Sequence, residues 1–332
     1  MIKSSAPTRI DLAGGTLDIW PLYLFFDNPP TLNAAIDLYA TVELKSRRDK
    51  TIHIESRDLG LKQTFSSLKA FPDKHPLELI MRTIRFYRPE TGLDVVTHCQ
   101  APAGSGIGGS SALNIALNGA FNKLTGRGYK GVQLIEIAKN IETQVIQVPA
   151  GIQDYYAALY GGVQAIHPGV LKVEVEKLDL DLRKLNARFV LCYTGKPRQS
   201  GINNWKVMKA AIDGDRSILQ NLDRIKSVSL KMRGLLKKGK LDGFAPLFIE
   251  EWNSRKALSP KISAPQIERI IKLAMENGAL AAKVCGAGGG GCVALFVKKD
   301  AKENVISALT GQGVQVLNFK FVKRGLRVID QN

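Results

Sequence analysis

The segment with the clearest chemical pattern is Ala101 to Leu113, which reads APAGSGIGGSSAL between a strand-like and a helix-like stretch. Its four glycines, at positions 104, 106, 108 and 109, allow positive φ angles and close approach of a ligand to the backbone. Ser110 and Ser111 occupy positions that suit a helix N-cap. Free N–H groups and the helix dipole at such a turn attract an anion, so the segment predicts a phosphate-binding loop.

The same segment contains the GxGxxG pattern of dinucleotide-binding folds, at Gly104, Gly106 and Gly109. Its context does not fit, because a dinucleotide fold needs a second strand and an acidic residue after the helix. Here a second helical pattern follows, through Asn140, and the GK[ST] ending of a Walker A loop is missing. A phosphate loop without its own lysine needs a counter-charge from a metal ion or from elsewhere in the chain.

Two further glycine-containing segments lie near the two ends of the chain. The first, APTRIDLAGGTLD, contains Arg9, Gly15 and Asp18. The second, GAGGGGC, runs from Gly286 to Cys292 between two strand-like stretches. Taken alone, each is more typical of a turn than of a binding site. Their combination with the central segment is more informative.

Together the three segments resemble the motifs of the GHMP small-molecule kinases, which include galactokinase, homoserine kinase, mevalonate kinase and phosphomevalonate kinase. The patterns P-x-R, PxGxGxGxSSA and GAGGGG occur in the order and at the distances typical of this family. The stretches most similar to the D-glycero-D-manno-heptose 7-phosphate kinase branch are IE at 141–142, QDYYAALYGG at 153–162, YTG at 193–195 and KVCGAGGGGC at 283–292. The resemblance implies an ATP-dependent, Mg²⁺-requiring sugar kinase that phosphorylates a hydroxyl, in this branch the anomeric one.

The resemblance also implies a role for each site residue. Asp154 matches the catalytic aspartate, which would receive or orient the proton of the acceptor hydroxyl, and Arg9 would stabilise the transferred charge. Ser111 and Glu142 would hold Mg²⁺ against the phosphates. The expected ATP-binding residues are Pro102, Gly104, Ser105, Gly106, Gly108, Gly109, Ser110, Ser111, Gly288 and Gly289. The expected substrate-binding residues are Asp18, Gly15, Thr194, Gly195 and Arg198.

Departures from the heptose kinase pattern cluster around the expected acceptor site. Ile152 and Tyr155 stand where we expect lysine and glutamine, and the N-terminal segment reads GGTLD where we expect GGGTD. These departures leave another sugar or a sugar acid open as the acceptor. A kinase of another small alcohol, such as mevalonate or homoserine, is a further alternative.

The charge of the chain leaves a non-enzymatic alternative open. Forty-seven Lys and Arg residues against thirty Asp and Glu residues give a net charge of +17, which attracts polyanions. A basic nucleic-acid-binding protein on a related fold would use this charge. Glu142, Asp154 and the three glycine segments argue against it, because RNA binding needs none of them. We expect ATP and a small sugar or sugar phosphate as partners, no nucleic acid and no membrane, and a monomer or homodimer.

Composition limits the compartment and the metal sites. The 332 residues are 45% hydrophobic and 23% charged, as in ordinary globular proteins rather than disordered or fibrous ones. No apolar run approaches the roughly 18 residues that cross a bilayer, and the N-terminus lacks the apolar core of a secretory signal. We therefore expect a cytoplasmic protein. The four cysteines and four histidines show neither CxxC nor zinc-binding spacing, which predicts reduced thiols and no protein-built zinc site.

The secondary structure predicted from the sequence indicates an α+β fold of two domains. Strand-like stretches dominate the first hundred residues, and helices are expected from Ser110 to Leu124 and from Gly131 to Val148. After a boundary near residue 180, the pattern predicts helices on one face of a mainly antiparallel sheet whose final strand ends at Phe319.

The resemblance implies a specific version of this architecture. Residues 1–180, with the phosphate loop at 101–113, would form a domain similar to domain 2 of ribosomal protein S5. Residues 181–332, with the glycine loop at 286–291, would form a ferredoxin-like α/β-plait. The active site would lie in the cleft between the two domains.

Overall fold

The structure is a computed structural model that describes residues 1–197 and 202–331. Its strands are β1 (Ile2–Ala13), β2 (Thr31–Ser46), β3 (Ile52–Ser56), β4 (Leu61–Phe65), β5 (Leu93–Cys99), β6 (Val163–His167), β7 (Glu174–Leu178), β8 (Phe189–Tyr193), β9 (Ala279–Val284), β10 (Cys292–Val297), β11 (Gln315–Leu317) and β12 (Arg327–Asp330). Its helices are α1 (Leu22–Phe25), α2 (Glu78–Tyr87), α3 (Gly109–Thr125), α4 (Val132–Ile146), α5 (Gln153–Tyr160), α6 (Leu182–Asn186), α7 (Ile202–Ile212), α8 (Arg216–Lys237), α9 (Phe244–Ala257), α10 (Pro265–Glu276) and α11 (Lys302–Gly311). Among these helices, none is both long and apolar enough to cross a membrane.

The first part of the chain, from β1 to β7, supplies seven strands of an eight-stranded mixed sheet, and β12 supplies the eighth. Its main path is β12-β1-β2-β5-β3-β4, and β6 pairs with both β2 and β7. The pairing of β3 with β5 is parallel, whereas β1 and β2 pair antiparallel. The β1–β2 register shifts between Pro7 and Thr8 and again between Asp11 and Ala13. Such bulges bend a strand, and here they lie on either side of Arg9.

Helix α3 is the central helix of this part. It contacts β1, β2, α2, α4 and α5, so side chains around its circumference are buried, as Ile115, Leu117 and Phe121 show. A helix that is buried on every side carries no strongly polar face. The buried Asn114 donates from Nδ2 to the Ala138 carbonyl at 2.6 Å, which ties α3 to α4. The start of α3 is thereby fixed relative to the sheet and to α4.

The second part of the chain, from α6 to β11, forms a four-stranded sheet with the order β11-β8-β10-β9. Its described pairings are all antiparallel. One face of this sheet packs on a core that includes residues of α7, α8, α10 and α11. The other face shares a core with β1, β2 and β6 of the first sheet. In that shared core the Phe189 ring lies 5.6 Å from Phe244 and 5.4 Å from Phe296. The two parts therefore form one continuous apolar scaffold.

The C-terminal tail, residues 319–331, returns from the second part to the first. Its Val322 carbonyl accepts a hydrogen bond from Gly162 N at 2.9 Å, and β12 pairs with β1. At Gly161, where φ is +64°, a Cβ atom would lie 2.3 Å from the Arg324 backbone. Only glycine fits here, because the tail crosses the end of α5 at backbone contact distance.

The predicted α+β fold class is confirmed, and α3 and α4 lie close to their predicted ranges. Some elements were not predicted, among them α2 and β12. Helix α2 was not expected, although Ile80, Ile84 and Tyr87 have helical spacing and are buried. Strand β12 was also not expected, and it places the chain end in the first sheet. The domain boundary near residue 180 stays a prediction.

Candidate active site

A cleft of about 420 Å³ collects residues from both parts of the chain. Residues of β1, α3, α4 and α5 line it from the first part. Arg255, Gly286 and Ala287 line it from the second part. The three glycine-containing segments of the sequence therefore border one space.

Glycines in the central segment adopt the left-handed backbone conformation. The φ angle is +67° at Gly104, +79° at Gly106 and +80° at Gly108. At Gly108 a Cβ atom would also lie 3.2 Å from the Asp154 carboxylate. Glycine is needed there for two reasons, the backbone angle and the close approach of α5.

The N-terminus of α3 opens into this loop. Helical backbone begins at Gly109 with Gly108 as the N-cap, and no side chain accepts the cap hydrogen bond. The prediction that Ser110 or Ser111 caps the helix is therefore wrong, because the helix starts earlier and both serines lie in its first turn. Uncapped first-turn N–H groups and the helix dipole form an anion-binding position.

Glu142 of α4 is buried beside the first turn of α3. Its Oε2 atom accepts hydrogen bonds from Ser111 Oγ at 2.9 Å and from the Tyr155 hydroxyl at 2.8 Å. Burial raises the pKa of Glu142, although these hydrogen bonds act in the opposite direction. Burial and the Glu142 charge also raise the pKa of Tyr155, so its hydroxyl remains a donor. A cation placed beside Glu142 would offset the cost of burying its charge.

Arg9 and Asp154 form an ion pair at the centre of the cleft lining. Arg9 Nε and Nη2 each lie 2.6 Å from Asp154 Oδ1, and Arg9 Nη1 donates to the Gly106 carbonyl at 2.7 Å. Burial lowers the pKa of Arg9, but the charges of Asp154 and Asp11 outweigh it and hold the pKa above its ordinary value. Arg9 therefore stays cationic and fixes both the glycine loop and the Asp154 carboxylate.

Asp18 follows the turn after β1 and also lines the cleft. It is 1% exposed, and its Oδ2 atom accepts a hydrogen bond from Gln153 N at 3.0 Å. A Cβ atom on Gly151 would lie 2.6 Å from the same oxygen. Burial raises the pKa of Asp18 to about 6, and the charges of Asp154 and Asp11 act in the same direction.

Four buried charged residues, Asp11, Glu251, Arg255 and Lys283, form a group that we call the buried quartet. Two of them, Asp11 and Arg255, line the cleft. Lys283 Nζ lies 3.2 Å from Asp11 Oδ2 and 3.0 Å from Glu251 Oε2. Arg255 Nε donates to Glu251 Oε1 at 3.0 Å. Burial raises the pKa of Asp11, but Lys283, Arg255 and Arg9 outweigh it and hold the pKa below its ordinary value. Asp11 therefore stays ionised beside these cations.

The late glycine segment is packed against the central one. Cys292 N donates to the Ser105 carbonyl at 2.7 Å, and a Cβ atom on Gly291 would lie 2.6 Å from the same carbonyl oxygen. A Cβ atom on Gly288 would lie 2.5 Å from the Ile262 carbonyl oxygen. The segment thus supplies close backbone approach rather than side-chain chemistry.

Comparison with known proteins identifies the family that has this arrangement. Residues 78–162 match the family model described as GHMP kinases N terminal domain, and residues 232–315 match the model described as GHMP kinases C terminal. The D-glycero-alpha-D-manno-heptose 7-phosphate kinase of Campylobacter jejuni subsp. jejuni serotype O:2 is 31% identical over 98% of both chains. The chain belongs to the GHMP kinases. The predicted family and phosphotransferase class are thereby confirmed.

Other GHMP kinases extend the comparison. The crystal structure of a D-glycero-D-manno-heptose 1-phosphate kinase from Bacteriodes thetaiotaomicron superposes with a TM-score of 0.81 at 26% identity, over 100% of both chains. The mevalonate kinase of Methanocaldococcus jannaschii is 25% identical over 88% of this chain and 92% of its own. Between these two sequence relatives, the identity is higher to the Campylobacter heptose phosphate kinase, at 31%, than to the mevalonate kinase, at 25%.

The structure brings most of the residues predicted for this GHMP kinase site to the cleft. Those lining it are Arg9, Gly15, Asp18, Pro102, Gly104, Ser105, Gly106, Gly108, Gly109, Ser110, Ser111, Glu142 and Asp154. The described lining residues do not include Thr194, Gly195, Gly288 or Gly289. Thr194 is buried, and its N–H donates to the Gly291 carbonyl at 2.9 Å. Arg198 lies outside the described residues, and the roles of these residues in binding stay predictions.

Sequence reasoning did not select several residues of the cleft and its support. Asp11 lies two positions from Arg9 on β1, and this spacing was an available signal, because such side chains share a face. Glu251 and Arg255 have the i, i+4 spacing of a helical ion pair. Local sequence patterns do not predict their contacts with Asp11 of β1 and Lys283 of β9, because these two residues are 272 positions apart.

Proposed function

We propose that this GHMP kinase transfers the γ-phosphate of ATP to a hydroxyl, the anomeric one, of a sugar or sugar phosphate such as D-glycero-D-manno-heptose 7-phosphate. The observation that carries the proposal is the convergence of the glycine loop, the Ser111–Glu142 pair and the Arg9–Asp154 pair on one cleft. The heptose phosphate kinases among its relatives support the choice of acceptor class.

The ATP phosphates would bind at the central glycine loop. Gly104, Gly106 and Gly108 have positive φ angles and, as glycines, place no side chain between the backbone and a ligand. The start of α3 favours negative charge. The late glycine segment packs on Ser105 and closes the loop from the second part. The protein's contribution is positioning, which is the main requirement of phosphoryl transfer.

A magnesium ion fits beside Glu142 and Ser111. Both supply oxygen ligands, and burial makes a nearby cation favourable for the Glu142 carboxylate. Mg²⁺ is usually bound through one or two carboxylates together with substrate phosphates, so this sparse protein donor set suits it. When bound, the ion neutralises charge on the phosphates. Tyr155 holds Glu142 in place through its hydroxyl.

Asp154 would orient the acceptor hydroxyl and receive its proton as the hydroxyl oxygen attacks the γ-phosphorus. Its Oδ1 atom is fixed by two Arg9 nitrogens, while the side chain retains 16% exposure. Arg9 cannot act as a base, because its guanidinium stays protonated. It would instead stabilise the charge on the transferred group.

The acceptor would lie near Asp18 and Gly15, which line the cleft with Asp154. With a pKa of about 6, the Asp18 carboxyl is mostly ionised at neutral pH and can accept hydrogen bonds from sugar hydroxyls. Thr194, Gly195 and Arg198 remain proposed substrate contacts. We also retain the cytoplasm and a monomer or homodimer as proposals, the former because the reaction consumes ATP.

The proposal is tested by coupled ADP release with MgATP and a panel of free sugars, sugar acids and sugar phosphates, with mevalonate and homoserine included. Selective turnover of one sugar or sugar phosphate is expected, and Glu142→Gln should reduce it. Glu136→Gln on the same helix is the matched control, because Glu136 is an exposed partner of Lys139. Turnover of mevalonate or homoserine alone would show that the acceptor is not a sugar. Unchanged turnover in Glu142→Gln would contradict the proposed role of Glu142.

A further inference from the structure

The buried quartet has no role in the phosphoryl transfer described above. Its side chains are at most 2% exposed and carry two positive and two negative charges. Removing such charges from water is costly, and well-packed apolar side chains often stabilise a fold as well or better. Stability alone therefore does not account for four charges at this place.

Arg255 differs from Lys283 in what it reaches. Arg255 Nη1 donates to Thr16 Oγ1 at 3.2 Å, and Nη2 donates to the Gly15 carbonyl at 3.1 Å. Lys283, in contrast, contacts Asp11 and Glu251 and lies over the Phe248 ring. Both cations balance the carboxylates, but Arg255 also binds the turn after β1.

That turn needs support from outside its own backbone. Thr16 has a φ of +75°, a left-handed conformation that costs a β-branched residue about 1–2 kcal/mol. Gly15 has no space for a side chain, because a Cβ atom there would lie 2.8 Å from Asp11 Oδ2 and 3.1 Å from Arg255 Nη2. The buried quartet therefore contacts this turn directly, at Gly15 and at Thr16.

The turn carries the residues that border the proposed acceptor position. Gly15, Thr16 and Asp18 line the cleft, and Asp18 accepts a hydrogen bond from Gln153, the neighbour of Asp154. A shift of the turn would change the distance between Asp18 and Asp154. Misplacement of a substrate by about 1 Å reduces rates strongly, even when its cause is remote.

We propose that Arg255 is a positioning residue for the acceptor, which fixes residues 15–18 in the conformation that binds it. Asp11 and Glu251 hold the guanidinium in place, and Lys283 balances their charge. The inference rests on the proposed function, because that function places the acceptor at Asp18.

Two matched double variants test this role. Glu251→Gln with Arg255→Met, and Glu251→Gln with Lys283→Met, each remove one cation and one anion, so the buried group stays neutral overall. Only the first variant removes the contacts to Gly15 and Thr16. We expect it to raise the acceptor KM about ten-fold or more and to leave the Kd for ADP within about two-fold. Hydrogen exchange of the peptide containing residues 14–18 should become faster.

Glutamine at position 251 retains an Oε1 acceptor for the Arg255 guanidinium. The second variant should therefore keep the acceptor KM and the exchange of residues 14–18 near wild-type values, even if both variants lower Tm. Equal changes in the two variants would overturn the inference, because they would reflect a structural role of the whole quartet. Wild-type turnover tests the proposed function separately. If the wild type phosphorylates no acceptor, that function fails, and unchanged exchange in the Arg255 variant would still exclude a role in holding the turn.

Discussion

The Arg9–Asp154 ion pair is the contact on which the proposed chemistry depends most at the scale of single residues. Two Arg9 nitrogens at 2.6 Å fix Asp154 Oδ1, and the same guanidinium reaches the Gly106 carbonyl. The pair thus places Asp154, which we propose receives the acceptor proton, at a defined distance from the glycine loop. Its function lies in geometry as much as in charge.

Replacing Asp154 by Asn should lower kcat by about 10²–10⁴-fold, the usual contribution of a positioned acid–base group. ADP binding should change little, because Asp154 is not proposed to touch the nucleotide. Steady-state kinetics and calorimetric titration with ADP measure both effects. A variant with wild-type kcat would remove Asp154 from the mechanism.

Asp18 gives a pH-dependent prediction for stability. Its pKa is raised from the ordinary 3.8 to about 6, which corresponds to about 3 kcal/mol of stability that is present below pH 4 and is lost as pH rises through about 6. Asp18→Asn lacks this titration. The difference in free energy of unfolding, variant minus wild type, should therefore be about 3 kcal/mol higher at pH 8 than at pH 4. Urea unfolding at both pH values measures the difference, and a pH-independent difference would contradict the raised pKa.

The junction between the glycine loop and α3 determines the site at the scale of secondary structure elements. Gly108 brings α3 against Asp154 of α5, and Asn114 holds α3 on α4, which carries Glu142. One helix therefore sets the separation between the proposed metal ligands and the proposed catalytic residue, Asp154.

Gly108→Ala should reduce turnover, because the added Cβ atom would lie 3.2 Å from the Asp154 carboxylate at a φ of +80°. The matched control is Gly126→Ala at the other end of α3, where φ is +63° and a Cβ atom meets no atom within 4 Å. Both variants should lose about 1 kcal/mol of stability. Only Gly108→Ala should lower kcat, by about ten-fold or more, and equal kcat values would show that the close approach is unimportant.

The C-terminal tail connects the two parts of the molecule at the largest scale. It leaves the second part, crosses the end of α5 and adds β12 to the first sheet. Because α5 begins with Gln153 and Asp154, the tail contacts the far end of the helix that carries Asp154. The shared core around Phe189 joins the same two parts from the inside.

Gly161→Ala should destabilise the whole molecule, since its Cβ atom would lie 2.3 Å from the Arg324 backbone. Gly60→Ala is the control, because Gly60 has the same φ of +64° with no atom within 4 Å of the added Cβ. The free energy of unfolding should fall by about 1–3 kcal/mol more in Gly161→Ala than in the control. Equal losses in urea unfolding would mean that the tail does not pack closely there.

The sequence predicted the parts of the site that depend on local patterns. Glycine spacing with a following helix indicates a phosphate loop, and the resemblance extends this to Glu142 and Asp154. The buried quartet was not predictable, because its contacts join residues up to 272 positions apart. Strand β12 gave no signal either, since all four of its residues are exposed and show no alternation. Tyr155 departs from the pattern but holds Glu142, a role that only the packing of α4 and α5 reveals.

Transfer of the γ-phosphate to a sugar hydroxyl can be observed by ³¹P NMR of the reaction mixture. Wild-type protein with MgATP and D-glycero-D-manno-heptose 7-phosphate should yield ADP and a new anomeric phosphate resonance. Asp154→Asn should form both products about 10²–10⁴-fold more slowly. Release of inorganic phosphate alone, or phosphorylation at another hydroxyl of the heptose, would contradict the account.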